Sequence, residues 1–183
     1  DTFLLRRLRD PEVDALNLIN TMLTETLYSR ILGTARERGL VYHMSSGFGQ
    51  TRDTSNWWFG AQVMPANAPA LFDIVFQELN NIRKGSLKED DIQAAKQYLI
   101  GRYQRSGQTV SGTMAGYSMR YFFDDVIDDY YKVPAHIKAV TKERVLQVTE
   151  AMFSDQIWGL GFLGHAEEPF ARKLEQQIEP LWR

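Results

Sequence analysis

Three histidines, His43, His136 and His165, are the first residues to weigh for metal or base chemistry, and they stand far apart in the chain. None belongs to a His-x-x-x-His or His-x-x-Glu-His pair. Zinc needs three or four tightly converging ligands, which a helix supplies most economically from histidines four residues apart. No such pair is present, and His165, followed by Ala166, Glu167 and Glu168, reads as a surface or capping residue at a strand end. A serine nucleophile would sit on a strand-turn-helix elbow such as Gly-x-Ser-x-Gly. Ser111-Gly112 lies in helical surroundings and reads as packing. Gly47 and Gly49 resemble half of a phosphate loop but lead into another strand, so no helix N-terminus follows to hold an anion. Asp124, Asp125, Asp128 and Asp129 could in principle recruit a divalent cation, although such a run is ordinarily a solvated helix face.

The stretch expected to touch a substrate is Ser29-Arg30-Ile31-Leu32-Gly33-Thr34-Ala35-Arg36-Glu37-Arg38-Gly39-Leu40-Val41-Tyr42. It reads as a helix end that delivers a tyrosine onto a strand. Ile19, Leu23, Leu27 and Ile31 form one apolar stripe at a spacing of four, and Gly39 supplies the backbone freedom that ends helices. Beyond it the period becomes two, with Leu40, Tyr42 and Met44 on one face and Val41, His43 and Ser45 on the other.

The elements around this junction follow from periodicity and turn chemistry. Phe3-Leu4-Leu5 is strand-like. Asp10-Pro11 opens a long helical region to about Arg38, with the aspartate as cap and proline in the tolerant first turn. Residues 40–48 and 57–64 alternate as a hairpin, with Gly47, Gly49, Asp53 and Asn56 as turn formers. Trp57, Phe59, Ala61 and Val63 share the face expected in the core, and Trp58 points the other way, which favours a groove or a partner. Asn67-Ala68-Pro69 begins a helix that Gly85 ends, and Ser86 with Glu89 fits a capping box for the next one. Gly107, Gly112 and Gly116 suggest close helix packing or a kink. Residues 119–131 are again helix-compatible, Pro134 breaks that pattern, Thr141 caps another helix, residues 156–164 are strand-like, and Phe170, Leu174 and Ile178 mark a last helix. A hairpin with helices gathered between strands predicts one α+β domain over residues 1–183, with a largely antiparallel sheet covered on one face.

Bulk properties leave few function classes excluded. A net charge of −2 gives no reason to expect nucleic acid, and no apolar run is long enough to span a bilayer. Without cysteine there is no thiolate or disulfide chemistry, and no compartment is indicated. The chain opens on Asp1 in a strand-like run without methionine, which suggests a piece of a longer protein.

Ser29-Arg30-Ile31-Leu32 followed by residues Ala35 to Tyr42 resembles the Ser-Arg-Leu-Phe and Leu-Arg-Glu-Lys-Arg-Gly-Leu-Ala-Tyr signature of the C-terminal, non-zinc-binding domain of the pitrilysin/insulinase zinc metallopeptidases. The hairpin, Gly85-Ser86-Leu87-Lys88-Glu89-Asp90-Asp91, the helix with Ala94-Ala95-Lys96, and the run from Ile137 to Val145 before a late strand occur in the family's order. The resemblance implies paired α+β domains, in which the first holds zinc on an inverted His-x-x-Glu-His helix with a later glutamate. The second domain closes a chamber over the peptide and supplies an arginine and a tyrosine near the metal. Here those would be Arg36, binding substrate, and Tyr42, an auxiliary oxyanion contact. No cofactor is expected on this chain. Zinc is expected on an N-terminal domain or partner subunit, and the full-length protein would be a zinc metalloendopeptidase.

One departure stands out. The segment is one residue shorter than the family pattern between arginine and tyrosine, so strict counting back from Tyr42 reaches Ala35. Either the turn absorbs the deletion and Arg36 serves, or the arginine function is lost, since one residue rotates a helix by about 100°. A non-catalytic structural or assembly partner of the same family is the alternative reading. A hydrolase working through His165 and its neighbouring glutamates ranks below both.

Overall fold

Residues 1–127, 129–164 and 167–183 are described by the structure, a computed structural model, with nothing said of the side chains of residues 116 and 119. The sheet grows from the hairpin. β2 (Val41–Gln50) and β3 (Ser55–Val63) pair antiparallel around a turn in which the Thr51 N–H donates to the Thr54 carbonyl (2.9 Å). β1 (Thr2–Leu4) pairs antiparallel with β3 through Thr2 opposite Trp57, and β4 (Ile157–Trp158) adds beyond it, giving the order β2-β3-β1-β4. Leu4, Met44 and Trp57 are buried on the face that the helices cover. This is the expected α+β arrangement with an antiparallel sheet. Gly47 and Gly49 are not turn residues: they lie within β2, where a Cβ would stand 2.8 Å from the Trp58 ring and 2.5 Å from the Asn56 side-chain oxygen.

The helical region expected from Asp10 to Arg38 is two helices, α1 (Asp10–Thr24) and α2 (Arg30–Glu37). Side chains divert the backbone between them. The Thr26 hydroxyl accepts from the Tyr28 N–H (3.2 Å), and the Ser29 hydroxyl donates to the Thr26 carbonyl (2.5 Å), offering local bonds that compete with the helix. Leu27 consequently leaves the stripe and is exposed, while Ile19, Leu23 and Ile31 stay fully buried. Gly33 permits the fold-back, because a Cβ there would lie 2.6 Å from the Leu27 carbonyl oxygen.

α3 (Ala68–Arg83) ends at Gly85, whose φ of 76° closes a Schellman turn: Gly85 N–H to Ile82 and Ser86 N–H to Asn81. α4 (Glu89–Ser106) starts after Lys88, and no capping box forms at Ser86; its carbonyl accepts instead from Arg30. The glycine-rich stretch is a helix break. Gly107 follows α4, with the Tyr130 ring packed so closely that a Cβ would meet its hydroxyl at 2.2 Å, and the Thr109 hydroxyl caps α5 (Val110–Asp124). Pro134 does not break a helix but opens one, α6 (Val133–Ala139), at the second position, where its missing N–H costs nothing. The Thr141 hydroxyl accepts from Arg144 N–H (3.3 Å) at the start of α7 (Lys142–Ser154). Of the strand-like stretch 156–164, only β4 forms, and α8 (Glu168–Ile178) is followed by a 3-10 turn over Glu179–Trp182.

Charge pairs fasten the start of α1. Asp10 is the first helical residue rather than the cap. It pairs with Arg120, which holds its carboxyl below the ordinary range. Glu12 closes the helix end by accepting from the Arg9 N–H (2.8 Å) and from Arg6 (2.6 Å), and the Arg6 hydrogen bond holds its carboxyl low as well. A carboxylate depressed in the folded state stabilises the fold above its unfolded pKa, and that contribution disappears as pH falls through the lowered folded value. Glu12→Gln should therefore flatten the loss of stability on acidification, read by urea unfolding from neutral pH downward. Parallel curves for the two proteins would contradict this.

Candidate functional site

The junction between α2 and β2 is built by two backbone devices. The first is a Schellman turn, with Gly39 at φ 65°, its N–H donating to the Arg36 carbonyl (2.9 Å) and the Leu40 N–H to the Ala35 carbonyl (2.9 Å). The second is a bulge: Val41 stands opposite Val63, but His43 stands opposite Gln62, so one residue is left over between them. Strict alternation would place Tyr42 on the same face as Met44. With the bulge, Val41 and Met44 both point inward, and Tyr42 and His43 both point out.

Tyr42 is 82% exposed, so a role as a core aromatic does not apply. Arg36, in the last turn of α2, is also exposed, and its guanidinium carbon lies 5.8 Å from the centre of the Tyr42 ring, within cation–π range. Ala35 is fully buried. Strict counting back from Tyr42 thus lands on a core position, while the next residue reaches the tyrosine across the turn. The pair presents a phenolic donor beside a planar cation with several N–H groups, able to contact a carbonyl or carboxylate together.

Beneath the junction lies a buried polar network that periodicity did not reveal. The Asn20 side-chain oxygen accepts from the Trp57 indole N–H (2.7 Å) and the Ser46 hydroxyl (2.7 Å). Ser46 also bonds the Thr24 hydroxyl (2.7 Å). Asn20, Thr24 and Ser46 are all buried, so α1 is tied to both hairpin strands. The visible signal was an asparagine directly after Ile19 on an apolar helix. Arg30, part of the recognised segment, joins α2 to α3 and α4 through Glu78 (3.5 Å) and Asp91 (3.0 Å).

Other sequence candidates do not join the site. His136 is on α6, away from His43 on β2, and His165 lies outside the described residues. Asp124 pairs with Arg7 (2.7 Å) and Arg120 (3.4 Å), Asp125 ends α5 in the left-handed conformation, Asp129 caps a short turn through the Tyr131 N–H (3.0 Å), and Asp128 lies outside the described residues. Among the described residues no three potential metal ligands converge, so this donor set does not fit a zinc site. No helix among the described residues is long and apolar enough to cross a membrane.

Residues 2–99 match the family of peptidase M16 inactive domains. The chain belongs to that family. The resemblance read from the segment 29–42 thus leads to the same family, and solved structures agree in fold. This M16 inactive domain superposes on an inactive peptidase domain from Bordetella parapertussis with a TM-score of 0.63 at 15% identity, covering 82% of each chain. A conserved protein from Enterococcus faecalis (TM-score 0.65, 20% identity, 78% of this chain and 33% of that one) and a protease from Helicobacter pylori (0.67, 16%, 81% and 36%) are similar as well. The domain therefore spans about a third of those two longer chains. At these identities the likeness is one of fold. No curated protein matches it.

Proposed function

We propose that this M16 inactive domain is the C-terminal domain of a longer zinc-metallopeptidase-like protein, forming part of the wall of a peptide chamber and presenting Arg36 and Tyr42 to a peptide bound at a zinc site on another domain. The observation that carries the reading is the exposed Arg36–Tyr42 pair at a junction shaped by a glycine turn and a bulge. A phenolic hydroxyl donates to a peptide carbonyl oxygen more strongly as that oxygen gains negative charge, which favours the transition state over the bound substrate. The guanidinium fork fixes a neighbouring carbonyl or a carboxylate. Met114, Tyr121 and Phe122 of α5 are exposed, in keeping with a further domain beside this one.

Arg36 acts here through binding and Tyr42 through the reaction. In the full protein carrying the zinc motif, Arg36→Ala should raise KM by about 10-fold or more, the worth of a charged hydrogen bond, with a smaller change in kcat. Arg36→Lys should restore it only in part. Steady-state kinetics on a peptide substrate decides this, and unchanged KM in Arg36→Ala would remove the arginine from the site.

A further inference from the structure

α5 is turned the opposite way from an ordinary amphipathic helix. Such a helix presses its apolar stripe onto the core and leaves its charges in water. Here Val110, Met114, Tyr121 and Phe122 are exposed, and none of the described side chains of α5 belongs to the buried core. The half-buried side of the helix carries Arg120 and Asp124, together with Tyr117 and Phe123.

Charge fastens this helix to the domain. Arg7 and Asp10, from the segment that leads into α1, face its C-terminal half. Arg7 forks onto the Asp124 carboxylate through both terminal nitrogens (2.7 and 3.0 Å), and Arg120 forks onto Asp10 in the same way. Arg120 also lies 3.4 Å from Asp124, so Arg7, Asp124, Arg120 and Asp10 form one chain of alternating sign. Even the Phe123 ring is met by a cation, with the Arg7 guanidinium carbon 5.0 Å from its centre. α5 is bounded by backbone breaks, Gly107 before it and the left-handed Asp125 (φ 53°) after it, so it can move as one rigid piece.

We propose that α5 is a charge-fastened strap, which leaves the domain as a unit with the core intact when the pairs of Arg7 with Asp124 and of Arg120 with Asp10 are screened or neutralised. Salt shortens the reach of a charge from about 30 Å at 0.01 M to about 3 Å at 1 M, whereas the burial of apolar surface has no such dependence. The helices whose inner faces lie in the core, α1 through Leu16 and Ile19 and α4 through Ile92 and Leu99, therefore stay shut while α5 opens. Release of the strap uncovers Arg7 and Asp10 at the start of α1 and carries the stripe of Val110, Met114 and Tyr121 away from the sheet.

Amide hydrogen exchange on this chain at neutral pH, in about 0.01 M and about 1 M NaCl, reads the strap directly. Amides in the C-terminal half of α5 should exchange about tenfold or more faster in high salt, with those of α1 and α4 unchanged. Asp10→Asn combined with Asp124→Asn should bring the low-salt rate of α5 to its high-salt level and remove the salt dependence. Salt-independent exchange of α5 in the unaltered chain would overturn the proposal, and that measurement needs no variant to fold. So would α5, α1 and α4 accelerating together, which marks opening of the whole domain, or a salt dependence that persists in the double variant.

Discussion

Asn20→Leu should lower the stability of this domain by about 1.5–4.5 kcal/mol, a large part of the roughly 5–15 kcal/mol typical of a whole domain. Leucine has the branching and heavy-atom number of asparagine and leaves no cavity, so the loss comes from hydrogen bonding. The Trp57 indole N–H loses its acceptor and stays shut away from water, and the Ser46 hydroxyl loses one of its two partners, keeping only the Thr24 hydroxyl. The orphaned indole donor costs about 1–3 kcal/mol and the lost Ser46 bond about 0.5–1.5 kcal/mol. Urea unfolding followed by tryptophan fluorescence measures the sum. The double variant Asn20→Leu with Ser46→Ala should cost less than the sum of the two single substitutions, because the bond between the two side chains is lost only once, while Thr24 keeps its bonds to the Ser46 N–H (3.1 Å) and the Asn20 carbonyl (3.3 Å). Strict additivity of the two substitutions would show that the network is not the source of the stability.

The sequence was informative wherever one physical signal dominated. Hairpin, terminal glycines and the Thr141 cap followed from period and local backbone chemistry, and the α+β class followed from their order. It misled where two signals competed. The α1–α2 break came from Thr26 and Ser29 bonding the backbone against a continuous apolar stripe. Pro134 starts a helix because it falls at the second helical position, and only the position separates an opening proline from a breaking one. No capping box forms at Ser86, because the Schellman turn that ends α3 already takes the Ser86 N–H for the Asn81 carbonyl, and α4 starts two residues later. Residues 156–164 carry a strand pattern that ladder pairing supports only at Ile157 and Trp158.

The site was legible in residue type but not in orientation. Arg36 and Tyr42 were singled out from the signature, yet alternation assigned Tyr42 to the face of Met44. A bulge depends on strand pairing, which no local pattern reports, and it alone turns Tyr42 and His43 outward together. The shortened spacing between arginine and tyrosine reads differently once the Schellman turn is in place. Ala35 belongs to the core, and Arg36 is the residue that reaches the ring.

The second large effect concerns the reaction. Tyr42→Phe keeps the ring against which Arg36 rests and removes only the hydroxyl, on a side chain so exposed that the fold has little to lose. If that hydroxyl meets the developing oxyanion, its loss falls on the transition state and leaves substrate binding almost unchanged. Single donors of this kind contribute about 10²–10³-fold in kcat. The direct measurement is therefore kcat and KM for peptide hydrolysis, with and without Tyr42→Phe, by the longer protein in which the proposed reading places a zinc-bearing domain. A kcat lower by about 10²-fold or more at similar KM is expected; an unchanged kcat would contradict the proposed role of Tyr42 and leave this domain a structural part of the longer protein.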